Sequence, residues 1–129
     1  MHEITEQFIE AAEAGDAAEV ERLLASGAEI NDRDCVGCTA LFEAASSGHV
    51  ALVQWLLSHG ADPNIPENNG ITPLMDAASG GDTAVMRVLL EHGARADLRD
   101  NFGDTALVYA RQQKQYAALE LLRHSDEPT

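Results

Sequence analysis

Apolar residues recur along this chain at intervals of three and four, the spacing of one face of an α-helix, and not in the strict alternation of a half-buried strand. Leu41, Ala44 and Ala45 form one such stripe, and Val53, Leu56 and Leu57 form the next. Thr39 and Thr72 stand where a side-chain oxygen caps the first turn of a helix. Pro73 follows at the first helical position, where no amide donor is needed. Gly48 closes the first stripe and Gly60 the second, because glycine readily adopts the left-handed conformation at a helix C-terminus. Asp16 and Asp82 stand where a second helix begins, and Asp16 with Glu19 has the spacing of a capping box. The pattern predicts pairs of short helices, with turn-rich stretches such as Ala61 to Asn69 reaching between pairs as fingers.

The pattern is periodic. Gly37, Gly70 and Gly103 are 33 residues apart, as are Thr39, Thr72 and Thr105 and then Leu41, Leu74 and Leu107. Ala11, Ala44, Ala77 and Ala110 keep the register, followed by Leu23, Leu56, Leu89 and Leu122, with no insertion or deletion. A fixed period of this length marks a stacked array in which each unit buries its neighbour's apolar face.

Gly70-Ile71-Thr72-Pro73-Leu74 and Gly60-Ala61-Asp62-Pro63-Asn64, with Gly48-His49 followed by Val53 and Leu56-Leu57, resemble the signature stretches of the ankyrin repeat. The resemblance spans roughly Glu3 to His124. It implies an all-α solenoid of stacked helix–turn–helix units with β-turn fingers, about four units in one domain over 1–129. An N-terminal capping unit covers 3–33, repeats cover 34–66 and 67–99, a C-terminal capping unit covers 100–125, and 126–129 form a tail. First helices carry small residues (Ala44-Ala45, Ala77-Ala78) and second helices larger ones, so the stack is expected to curve with the first helices and fingers on its concave side. Arg22, Arg111 and Arg123 replace apolar residues at the ends, which predicts an array capped, and complete, at both. One departure stands out. The family's histidine after Thr-Pro-Leu is replaced by Phe42, Met75 and Val108, with Ile9 in the first unit, which predicts looser fingers held by apolar packing.

Composition adds a sign to this surface. Against 22 Asp and Glu there are 8 Lys and Arg, a formal net charge of -14. Nucleic acid and anionic membrane are disfavoured as partners, since phosphate binding draws on Lys and Arg. A basic or polar protein segment is the natural complement. The acidic start lacks a signal peptide's basic region and apolar run, and no apolar stretch approaches the length that spans a bilayer, so a cytoplasmic protein is expected.

Candidate chemistry is thin. His49 occupies a repeat slot shared with Asp16, Asp82 and Gln115. His59 and His92 precede helix-closing glycines, where a cation suits the helix dipole. His2 and His124 lie near the termini, and no histidine is placed as a base beside a nucleophile. No catalytic residue, metal site or cofactor is expected. Cys35-Val36-Gly37-Cys38 has a zinc or thiol–disulfide spacing, but no second ligand pair and no βαβ unit accompany it. The two thiols read as exposed finger residues, with Cys38 of slightly lowered pKa ahead of the Thr39 cap. The alternative reading makes Cys35 and Cys38 a redox- or metal-responsive switch.

The leading expectation is a non-enzymatic protein-binding module, monomeric on its own, acting as adaptor, inhibitor or regulatory subunit. Family members bind through the concave face and fingertips. On the first helices the outward slots hold Glu10, Glu43, Asp76 and Tyr109, and beside them Glu13, Ser46, Ser79 and Gln112. The fingertips hold Val36, then Asn68, Asn69 and Ile71, then Phe102 and Asp104. Glu10, Glu43 and Asp76 form a carboxylate ladder with rungs about 8–10 Å apart, and Tyr109 and Phe102 are candidate aromatic anchors.

Overall fold

A computed structural model describes residues 3–126, with side chains through Arg123. Eight helices run along the described residues, with no strand among them. They are α1 (Glu3–Ala14), α2 (Ala17–Ala25), α3 (Ala40–Ser46), α4 (Val50–Ser58), α5 (Pro73–Gly80), α6 (Thr83–Glu91), α7 (Ala106–Gln112) and α8 (Tyr116–Asp126). Odd-numbered helices stack on one another, α1 on α3, α3 on α5 and α5 on α7, while α4, α6 and α8 pack in the same order. The 33-residue register becomes a column of side chains. Phe8, Leu41 and Leu74 are 0–1% exposed, and Val20, Val53 and Met86 are fully buried.

Caps fix where each helix begins. Thr39 Oγ1 accepts from the Phe42 amide at 3.1 Å, and Thr72 and Thr105 repeat this with Met75 and Val108. Asp16 and Asp82 accept from Glu19 and Val85. The expected Asp16–Glu19 box is only half formed. Glu19 gives both oxygens to Arg22, and the Asp16 amide already donates to the Ala11 carbonyl. Asp126 belongs to α8 and not to the expected tail, of which 127–129 lie outside the described residues, as do His2 and the His124 side chain.

The odd–even turns carry a left-handed residue, Gly15, Gly48, Gly81 and then Lys114, which has φ 56°. Glycine there also makes room for the next unit: a Cβ on Gly15 would stand 2.8 Å from the His49 ring. His49 Nε2 donates to the Glu13 carbonyl at 2.8 Å, and Gln115 Nε2 donates likewise to Ser79 at 3.0 Å. So in one repeat slot the aspartates cap their own helix, while His49 and Gln115 bridge to the unit before. His59 and His92 each donate Nδ1–H to a last-turn carbonyl, of Trp55 and Val88.

The fingers are tied together, contrary to the looseness expected from the missing histidines. Asn68 donates its amide to the Val36 carbonyl at 3.0 Å and its side chain to Cys35 at 3.2 Å. Asn101 does the same toward Asn69 and Asn68 at 2.9 and 3.0 Å. Asparagine amides supply the links that the absent histidines do not, while Ile9, Phe42 and Met75 are buried.

Candidate functional site

Each finger is shaped by one acidic residue at its base. Asp34 Oδ1 accepts from the amides of Val36 and Cys38, Glu67 Oε1 from Asn69 and Ile71, and Asp100 Oδ1 from Phe102 and Asp104. A backbone bond closes each turn, from the amide of Asp34, Glu67 or Asp100 to the carbonyl four residues on. These three acids keep the 33-residue spacing but lie outside the residues predicted as the site. Their role is positional, since they aim the residues that follow.

On the side of the stack formed by α1, α3, α5 and α7, here the inner face, Glu10, Glu43, Asp76 and Tyr109 are not four equivalent rungs. Glu10 is exposed. Glu43, half-buried, lies close to Glu13 of α1 and to the Cys38 thiol. Burial first, then repulsion from Glu13 and Asp34, holds the Glu43 carboxyl above the usual range. Asp76 is held high by burial and by Glu67, although the nearby Ser46 hydroxyl works to lower it. Tyr109 ends the column differently. Its hydroxyl donates to Asp100, so the ring braces the finger from the helix that follows it. Burial opposes the Asp100 charge, but Tyr109 and the amides of Asp104, Phe102 and Gly103 outweigh it and hold the carboxyl low. The Tyr109 phenol is correspondingly pushed up, by burial and then by Asp100.

Fingertip side chains divide in the same way. Val36 and Phe102 are 53% and 81% exposed and free of such ties. Asn68 is exposed yet committed to the neighbouring finger, Asn69 bonds to Glu67, and Ile71 and Asp104 are half-buried. Between the inner helices lie two shallow depressions. One of 310 Å³ is lined by Glu10, Glu13, Asp34 and Glu43, and one of 480 Å³ by Ser46, Asp76, Ser79 and Asp82. Gln112 is exposed at the far end.

The cysteine pair is not what its spacing suggested. Cys35 is exposed, but Cys38 is buried, and neither is in a disulfide. Burial and the charges of Glu43 and Asp34 push the Cys38 thiol up to about 12, the reverse of the expected lowering. The helix start that should have favoured the thiolate is outweighed by burial and then by the carboxylates around it. Among the described residues no group of three or more His, Cys, Asp and Glu is placed to hold a metal ion, and no helix is long and apolar enough to cross a membrane.

The sequence model for the family described as ankyrin repeats (3 copies) matches residues 8–67 and, overlapping, 51–129. No curated protein matches the chain.

Proposed function

The chain belongs to the ankyrin-repeat family, and from that premise we propose that it is an adaptor, inhibitor or regulatory subunit whose acidic inner face takes a basic or polar segment of a partner protein. Ankyrin repeats are protein–protein interaction modules and typically not enzymes. The observation that carries the proposal is the state of Glu43 and Asp76. Both carboxyls are partly desolvated and crowded by other acids, and neither is in an ion pair among the described residues. An arriving lysine or arginine relieves that repulsion, and the exposed Val36 and Phe102 offer apolar contact at the fingertips. A cytoplasmic monomer that leaves nucleic acid alone completes the reading, in keeping with a net charge of -14.

The experiment is a double reversal, Glu43→Lys with Asp76→Lys, tested by anisotropy against a labelled Lys/Arg-rich peptide and a Glu-rich control. The expected result is a loss of at least tenfold in affinity for the basic peptide with an unchanged circular dichroism spectrum. Unaltered affinity removes the inner face as the site. No observation favours the Cys35/Cys38 switch, since a buried, protonated Cys38 is a poor nucleophile and ligand. Maleimide is expected to label Cys35 alone in the native protein.

A further inference from the structure

The two end faces of the stack are finished differently. At the N-terminal end, outward slots hold Gln7, Glu19 and Arg22, where the next units have buried Ala40, Leu52 and Val88. Arg22 grips both oxygens of Glu19 at 2.7 Å, so the charges of this end answer each other. At the C-terminal end the slots that an onward unit covers hold Leu107, Arg111, Leu119 and Arg123. Their counterparts one unit earlier are Leu74, Ala78, Met86 and Leu90, the first three 0–1% exposed. Leu107 and Leu119 remain apolar and only half-buried, and with Tyr116, 71% exposed, they floor a groove of 540 Å³ between α7 and α8. The Arg111 guanidinium has no ion pair or hydrogen bond among the described residues, and Arg123 reaches Glu120 only at 4.0 Å.

We propose that this C-terminal end face docks one amphipathic helix of a partner protein, its apolar stripe over Leu107 and Leu119 and its flanking carboxylates on Arg111 and Arg123. The occupant is a helix because the groove continues the surface on which, inside the stack, one helix pair receives the next. It is acidic because Arg111 and Arg123 outnumber the one acid of the lining, Glu120, on a chain that is otherwise strongly negative. A second copy fits poorly. Its N-terminal end would press Gln7 and the Glu19–Arg22 pair onto an apolar floor, at the desolvation cost of buried polar groups. Its C-terminal end would set arginines against arginines. The inner face selects a basic segment and this end an acidic one, so either can fail without the other.

The test uses two labelled helical peptides with one Leu/Ala stripe, flanked by Glu in one and by Lys in the other. Binding to the full chain is read as the part lost on Leu119→Gln, with circular dichroism and melting as fold controls. The Glu-flanked peptide is expected to bind at least tenfold tighter, although the net charge of -14 favours the Lys-flanked one. Arg111→Glu with Arg123→Glu is expected to invert the preference. Equal binding of both peptides, or a preference untouched by the charge reversal, overturns the proposal. So does self-association in sedimentation that Leu119→Gln abolishes, which would give the face to a second copy.

Discussion

The finger of residues 34–38 and the finger of residues 100–104 share their parts, an aspartate accepting two amides and a glycine at the turn, yet they differ in what fills one slot on the helix that follows. In the last unit that slot holds Tyr109, whose hydroxyl closes onto Asp100. In the second unit it holds Glu43, which lies against Glu13, Asp34 and the Cys38 thiol. One finger is locked by an internal donor, while the other holds like charges together. Where the chain leaves its own charges unanswered, it keeps free energy available for a partner. Where it answers them, it stiffens.

The sharpest way to break this contrast is Asp100→Ala against Asp34→Ala. The first removes the acceptor of Phe102, Asp104 and Tyr109, and is expected to cost about 3 kcal/mol in denaturant unfolding. The second removes two amide bonds but also a repulsion, and is expected to cost about 1 kcal/mol. Equal losses would erase the distinction. Tyr109→Phe isolates the lock, with an expected loss of about 1.5 kcal/mol for one hydrogen bond to a carboxylate, read as a lower denaturation midpoint.

Glu43→Gln should act in the opposite direction, raising stability at pH 7 by about 0.5 kcal/mol, a solvent-screened charge effect, while weakening the basic-peptide binding. The smallest effect is in the pH profile. Glu43 and Asp76 hold protons in the folded protein above their ordinary values of 4.5 and 3.8. Their contribution is therefore complete below those values and is lost as pH rises through the folded ones. Asp100 contributes oppositely, with stability present at neutral pH and lost as pH falls through its depressed value. Between pH 7 and 5, Glu43→Gln with Asp76→Asn should remove a small gain in melting temperature that the parent shows. An identical profile would mean that the two carboxyls are not destabilised at all.

Nearly all of the fold was legible in the sequence. An uninterrupted 33-residue register fixes helices, caps and stacking together, because each local preference agrees with the array. The site was only partly legible. Glu43 could be placed on the correct face, but its neighbours Glu13 and Cys38 come from α1 and a finger, and that meeting depends on how far adjacent helices are offset. Cys38 shares its slot with Ile71 and Asp104, one apolar and one acidic, so the register is silent about its depth. Tyr109 reads as an anchor because aromatics favour interfaces, and that rule does not reveal the bond to an aspartate nine residues earlier. Asp34, Glu67 and Asp100 were hidden by abundance, being acids among 22.

Lys114 sets a rule for building longer versions of this protein. It keeps the left-handed turn of the three glycines that precede it, at φ 56°, but adds a side chain at the seam where a further unit would be grafted. At the earlier seams a Cβ would crowd His49 at 2.8 Å yet clear Asp82 at 3.5 Å. A module added after residue 129 is thus compatible if its matching position is aspartate, which also gives the lysine a counter-charge. A module carrying histidine or glutamine there first needs Lys114→Gly.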